Sequence, residues 1–275
     1  MPGLTVYEYG KSLLNSGEKA CYSQIAQALK NVSPSVTVKT NITPETFEKI
    51  YQYYLYDHTE IFYLKNSTMK YDYLTVVGKK TYNSYTLTFQ YRYNGKTVAA
   101  MRKAMRQGAL EMLASAESKS SALGKEKALH DTLVATCSYD SSAQTNKDLN
   151  SVSYTAYGIF VNKKAVCDGY ARALKILLSS AGIKSAYVTG TASNSAGEWE
   201  DHGWDMAYVS GRWYYVDATF DDPVYVDSQG REISGSGDRV SYSYFNFSSK
   251  SDHVLGKFNG SNPFDDNSQN YETMP

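Results

Sequence analysis

The sequence predicts an α+β protein, and three stretches carry that expectation. Residues 70–93 alternate Tyr, Thr and Val with polar residues, the period of half-buried strands. The run AVCDGYARALKILLSSAGI repeats its apolar residues at helical spacing. The stretch EDHGWDMAYVSGRWYYVDATFDDP has two apolar arms about a Ser-Gly pair, the pattern of a β-hairpin. Helices and antiparallel strand pairs therefore follow one another in blocks.

The elements follow in order. GEKACYSQIAQALK sets Ala20, Ile25, Ala28 and Leu29 near one helical face. Thr43-Pro44-Glu45 is an N-cap followed by proline at the first helical position, opening a helix to about Tyr54. YDYLTVVG and SYTLTFQYRY are two strands, antiparallel across the GKKTYN turn. A long helix is expected from about Lys96 to Ala116, with the serine-rich ESKSSALG as its exit loop. Another helix is expected from about Lys125 to Cys137. The loop at 117–124 is the natural boundary, dividing an N-terminal α/β region (1–118) from a C-terminal domain (119–275). No internal repeat is present.

Composition narrows the function. Lys plus Arg and Asp plus Glu number 28 each, so the net charge is zero and no global field recruits nucleic acid or an anionic membrane. No apolar run approaches the roughly 20 residues of a membrane helix. MPGLTVYEYGKSLLNSGEKA has no basic start followed by an apolar block, so no export signal is read in it. The expectation is a cytoplasmic protein or the mature form of an exported one, with an extracellular or cell-surface setting favoured. Tyrosine numbers 26 against 9 phenylalanines, which suits wet grooves for polar ligands; usage bias explains it equally well. Cys21, Cys137 and Cys167 are too far apart for a zinc cage of cysteines. Free thiols are expected at Cys21 and Cys137, with a disulfide between them as the alternative.

Cys167 opens the helix whose stripe is Tyr170, Ala173, Leu174, Leu177, Leu178 and Ala181, with Gly182 just past its C-terminus. Unpaired N–H groups and the positive end of the dipole stabilise a thiolate there and can cradle an oxyanion. A small buried residue packing the helix start is the competing reading.

The hairpin bears on that choice. With Ser210-Gly211 as the loop, Val209 faces Arg212, Trp204 faces Asp217 and His202 faces Thr219. His202 and Asp217 then share a face as diagonal neighbours, with Cα atoms about 7–8 Å apart. A loop of three residues would slip the register and part them. Asp217 inside WYYVDATF needs a partner if buried, and His202 is the candidate. A thiol at a helix N-terminus with a His–Asp pair supplies a nucleophile, a base and an orienter. The intervals are 35 residues from Cys167 to His202 and 15 from His202 to Asp217.

The run GIFVNKKAVCDGYARALKILLSSAGI followed by HGWDMAYVSGRWYYVDATFDDP resembles the transglutaminase-like superfamily in its bacterial branch. The resemblance covers about 122–225, including HDTLVATCSYD, and more loosely SYFNFSSKSDHVLG. It implies a papain-like core in which a central helix carrying the cysteine packs on an antiparallel sheet. It implies a catalytic triad of Cys167 as nucleophile, His202 as base and Asp217 as orienter. It further implies a thiol peptidase or acyltransferase acting on protein or peptide amides, glutamine included, through a thioester. A dedicated protein cross-linker and a non-catalytic cell-surface binding module are the alternatives on the same fold. Two positions depart from the pattern: Gly203 stands where alanine is usual, and Phe220 where tryptophan is frequent. The sandwich domains and calcium sites of animal transglutaminases have no counterpart, so neither metal nor other cofactor is expected. Tyr154, Tyr157 and Trp204 are candidates for oxyanion or substrate contacts, packing being the competing role of the tyrosines.

Of the other histidines, His130 reads as structural on its helix and His253 as solvated in a polar loop. Asp221, Asp222 and Asp227 have the chemistry to hold a cation, but Asp222-Pro223 more simply starts a turn. No phosphate loop and no HExxH motif is present.

Overall fold

The computed structural model describes residues 3–146, 151–193, 197–222 and 240–256. Asp227, and Pro223 of the expected Asp-Pro turn, lie outside them. The architecture is mixed helix and sheet, as expected, with two antiparallel sheets.

The chain opens with a short helix α1 (Tyr9–Ser12) and then α2 (Ser16–Lys30), which begins in a capping box between Asn15 and Glu18. Strand β1 (Ser35–Lys39) leads to α3 (Pro44–Asp57), capped by Thr43 with Pro44 in the first turn. Strands β2 (Leu64–Val76) and β3 (Lys79–Tyr91) form a long hairpin. The turn is tighter than expected: the strands run through GKKTYN and reverse at Val77-Gly78, both at positive φ. Strand β1 pairs with β3, giving the order β1-β3-β2. Helices α2 and α3 cover the buried face through Tyr22, Ile25, Phe47 and Ile50 against Tyr85 and Leu87.

Helix α4 (Gly95–Leu113) and α5 (Ala122–Thr136) lie near the expected positions, α5 starting three residues early because Ser121 caps it. Short strands β4 (Ser138–Tyr139) and β5 (Lys164–Ala165) pair in parallel, with α6 (Ser141–Asn146) between them in the chain. Helix α7 (Cys167–Ser180) is the central helix, and Gly182 follows it at φ 83°. Strands β6 (Ser185–Ser193), β7 (Trp199–Val209), β8 (Arg212–Val216) and β9 (His253–Leu255) form an antiparallel sheet in the order β8-β7-β6-β9.

The stripe of α7 explains its place. Tyr170, Ala173, Leu174, Leu177 and Leu178 are fully buried, in one cluster with residues of α4, α5, β7 and β8. The N-terminal part is joined to this core by polar contacts. Lys175, itself buried, donates from Nζ to the carbonyls of Asp57 at 2.7 Å and Tyr7 at 3.1 Å. Tyr56 Oη and Thr189 Oγ1 share a hydrogen bond of 2.6 Å. Among the described residues, no helix is long and apolar enough to cross a membrane. All three cysteines are free thiols.

Candidate active site

Helix α7 begins at Cys167 after Val166, and no side chain caps it. The first-turn N–H groups beside the thiol are therefore left without a side-chain acceptor. The helix start is tightly seated: a Cβ on Gly169 would lie 2.5 Å from Ala165 Cβ and 2.6 Å from the Ser153 carbonyl oxygen. Asp168, the next side chain, accepts a hydrogen bond from Tyr187 Oη.

The hairpin has the register read from its letters. Val209 pairs with Arg212 and Asp205 with Val216, across a two-residue loop in which Ser210 has φ 52° and Gly211 φ 86°. Those left-handed conformations are the ones a twisted two-residue hairpin loop requires. His202 and Asp217 consequently share a face, and His202 Nε2 stands 2.6 Å from Asp217 Oδ2. Asp217 Oδ1 accepts from the backbone N–H groups of Thr219 at 2.9 Å and Phe220 at 3.2 Å. The carboxylate is 1% exposed, so these bonds replace its lost hydration.

Cys167 is among the groups that act on the His202 ring and favour its charged form. Asp217 occupies Nε2, which leaves Nδ1 as the ring's other nitrogen. Burial by itself would push the imidazole down, but the charge and hydrogen bond of Asp217, followed by the influence of Cys167, raise its pKa to about 10. Burial likewise opposes ionisation of Asp217, yet the charge and hydrogen bond of His202 outweigh it, with His253 adding to them. They hold the carboxyl well below its usual range. The imidazole and the carboxylate are paired, and the thiol at the start of α7 acts on the same ring, a set of groups with the chemistry to supply a nucleophile, a base and an orienter.

The other sequence candidates fare differently. Trp204 is 2% exposed and lies against His202, ring centroids 5.9 Å apart, so it walls the imidazole from solvent. Phe220 covers it at 4.7 Å. Tyr154 Oη donates to the Ala143 carbonyl at 3.4 Å, and Tyr157 packs on Phe62 with centroids 5.3 Å apart. The tyrosine that the sequence reading passed over is Tyr139. Its hydroxyl pKa is raised by burial first, then by the charges of Cys167, Glu200, Tyr154 and Asp217, the groups on the site's side of the ring. Its position depends on the two-residue parallel bridge between β4 and β5, too short to leave a periodic signal.

His253 corrects the sequence expectation outright. Instead of being solvated, its side chain is 2% exposed, with Nε2 3.1 Å from Asp217 Oδ2. The run SSKSDH is polar, but pairing of β9 with β6 carries the ring into the site. His202, Asp217 and His253 each offer a donor atom, all within 4.8 Å of one another. These are residue types that ligate metals, although here the same atoms are engaged in N–H···O bonds with one another. His130 is structural as expected: it is fully buried, with Nε2 3.2 Å from Asp221 Oδ2. Asp222 accepts from Tyr170 Oη, so both aspartates already have protein partners.

Part of the chain is similar to known proteins. Residues 109–218 match the model of the transglutaminase-like superfamily, a span containing Cys167, His202 and Asp217. The chain carries a transglutaminase-like domain. Kyphoscoliosis peptidase of Mus musculus and that of Homo sapiens are each 33% identical to it over 90 residues, 30% of this chain. The match spans 13% of the length of those relatives. Among solved structures, a TGase aligns with TM-score 0.37 and 15% identity, over 67% of this chain and 51% of its own. The periplasmic domain of TgpA from Pseudomonas aeruginosa aligns with TM-score 0.29 and 16% identity, over 56% of this chain and 62% of its own.

Proposed function

We propose that the protein is a thiol enzyme that cleaves or exchanges protein and peptide amides through a thioester on Cys167. The observation that carries this reading is the His202 ring, bonded to Asp217 at 2.6 Å and held toward its charged form by that carboxylate and by Cys167. His202 takes the thiol proton, and the sulfur attacks the amide carbonyl carbon. Backbone N–H groups at the start of α7 receive the oxyanion. As the C–N bond breaks, the imidazolium returns the proton to the departing amine or ammonia, leaving the acyl group on sulfur. Water, deprotonated by His202, then releases the acid and restores the thiol. A lysine amine in place of water gives a cross-link instead.

Asp217 keeps the imidazole oriented and stabilises its charged form. Hydrolysis or general acyl transfer is favoured over dedicated cross-linking, because the sequence resembles the bacterial branch of the superfamily. Its substrates are proteins or peptides offering a glutamine or peptide amide, in an extracellular or cell-surface setting.

A binding module on the same fold is the second reading. The β2–β3 hairpin favours it, since Tyr71 and Tyr73 are 41% and 43% exposed on a tyrosine-rich face. Alkylation of the three cysteines across pH, resolved by peptide mapping, separates the two. For an enzyme, Cys167 reacts fastest, stays reactive well below pH 8, and slows in His202→Ala. A Cys167 that titrates like a free thiol in both proteins sinks the enzyme reading.

A further inference from the structure

We propose that His253 is a positioning residue for the thiol centre, sharing the Asp217 oxygen that His202 uses and so setting how tightly that carboxylate holds the His202 proton. The inference rests on the reading of Cys167, His202 and Asp217 as the reactive group.

The geometry begins with Asp217 Oδ2. It lies 2.6 Å from His202 Nε2 and 3.1 Å from His253 Nε2. An ionised carboxylate only accepts, so both nitrogens point N–H groups at one oxygen. Oδ1 is occupied by the Thr219 and Phe220 amides, which fix where the carboxylate sits. What His253 controls is therefore charge rather than location: a second donor on Oδ2 draws on the density that would otherwise hold the His202 proton.

The ring is built into place. Its Nδ1 lies 2.9 Å from Asp252 Oδ1, and Tyr244 Oη donates to Asp252 Oδ2 at 2.7 Å. Trp204, Phe220, Tyr244 and Phe247 surround it with centroids 5.0–5.3 Å away. The charged and titratable groups facing His253 are thus Asp217 beyond β8, Asp252 beside it, His202 on β7 and the Tyr244 hydroxyl. Strand β9 reaches the site because Gly190 on β6 has no side chain: a Cβ there would lie 2.0 Å from the Val254 carbonyl oxygen.

The arrangement suits a base that must also act as an acid. With Asp217 pulling on it alone, His202 would hold its proton too firmly to protonate a leaving amine. Sharing Oδ2 loosens that hold.

The test uses iodoacetate on Cys167. Its attack is fastest when a thiolate stands beside an imidazolium, since the reagent is an anion, so the rate is bell-shaped in pH. The alkaline limb reports loss of the His202 proton. His253→Phe fills the aromatic cage and removes the N–H that faces Asp217 Oδ2; its alkaline limb should move up by about half to one pH unit. His253→Gln, whose side-chain amide can still donate to Oδ2, should bring the limb back toward wild type. A limb unmoved in His253→Phe, even with a lower Tm, makes His253 merely structural and overturns the proposal. If His253→Phe does not fold, Asp252→Asn answers the question: a smaller upward move supports the proposal, and no move overturns it. A wild-type protein with no bell at all fails the enzyme reading itself, an outcome distinct from a mutant limb that stays in place.

Discussion

His202 Nε2 on β7 and Asp217 Oδ2, one residue past the end of β8, are 2.6 Å apart, with both side chains under 10% exposed. Burial raises the cost of leaving either group without its partner. Asp217→Asn keeps the size of the side chain and removes its charge, so His202 loses the main influence holding it protonated. Alkylation of Cys167 by iodoacetamide at pH 6 is expected to fall by about tenfold or more, and amide turnover by roughly 10²–10⁴-fold. Unchanged reactivity in a folded Asp217→Asn protein would separate the pair from the thiol.

Gly203 has a steric reason. A Cβ there would lie 2.9 Å from Asp168 Oδ1 and 3.1 Å from Tyr187 Cε2. Asp168 follows Cys167 at the start of α7 and is held by the Tyr187 hydroxyl. Gly203→Ala must push the ends of these two side chains aside, next to the residue that follows Cys167. The expected result is slower Cys167 alkylation with a stability loss of about 1–2 kcal/mol, read from urea denaturation. In Gly203→Ala with Asp168→Ser, the clash is relieved and part of the loss returns.

Much of the site could be read from the letters, because strand pairing has period two and the loop Ser210-Gly211 fixes the register of β7 against β8. Helix α7 was legible through its stripe, and α3 through Thr43-Pro44. What escaped depends on pairing between distant segments. His253 enters through three paired residues of β9, and its polar neighbours mark a loop rather than a strand. Strand β1 is a five-residue edge strand, recognisable only by its partner β3. The Val77-Gly78 turn escaped because valine rarely adopts positive φ, so nothing in the letters announced a reversal there.

Glu126 ties a different region to pH. It is fully buried on α5; Oε2 accepts from Asn246 Nδ2 at 2.9 Å, and Oε1 has no partner among the described residues. Burial pushes its carboxyl up to about 7, against the smaller opposing effects of Asn246 and His130. In the unfolded chain the group ionises near about 4.3. Its contribution to stability is therefore lost as pH rises from that value through about 7, and is flat above. Glu126→Gln keeps the acceptor and cannot ionise. It should be more stable than wild type at pH 8 by about 1–3 kcal/mol and nearly equal to it at pH 4. Equal gains at both pH values would mean that packing, not ionisation, is what the substitution changes.

The hairpin loop offers the cleanest separation of backbone from side-chain effects. Ser210 and Gly211 both have positive φ, and a Cβ on Gly211 would meet nothing within 4 Å. Substitution at Gly211 is thus opposed by conformation alone. Gly211→Ala should cost about 1 kcal/mol. Ser210→Asn should gain about 0.5 kcal/mol, since asparagine tolerates this conformation better and Asn-Gly is the favoured pair for such a loop. Urea midpoints measure both. Neither change touches Cys167, His202 or Asp217, so the pH profile of Cys167 alkylation should hold in both variants. A profile that moves with Gly211→Ala would mean that the loop sets the His202–Asp217 distance as well as the strand register.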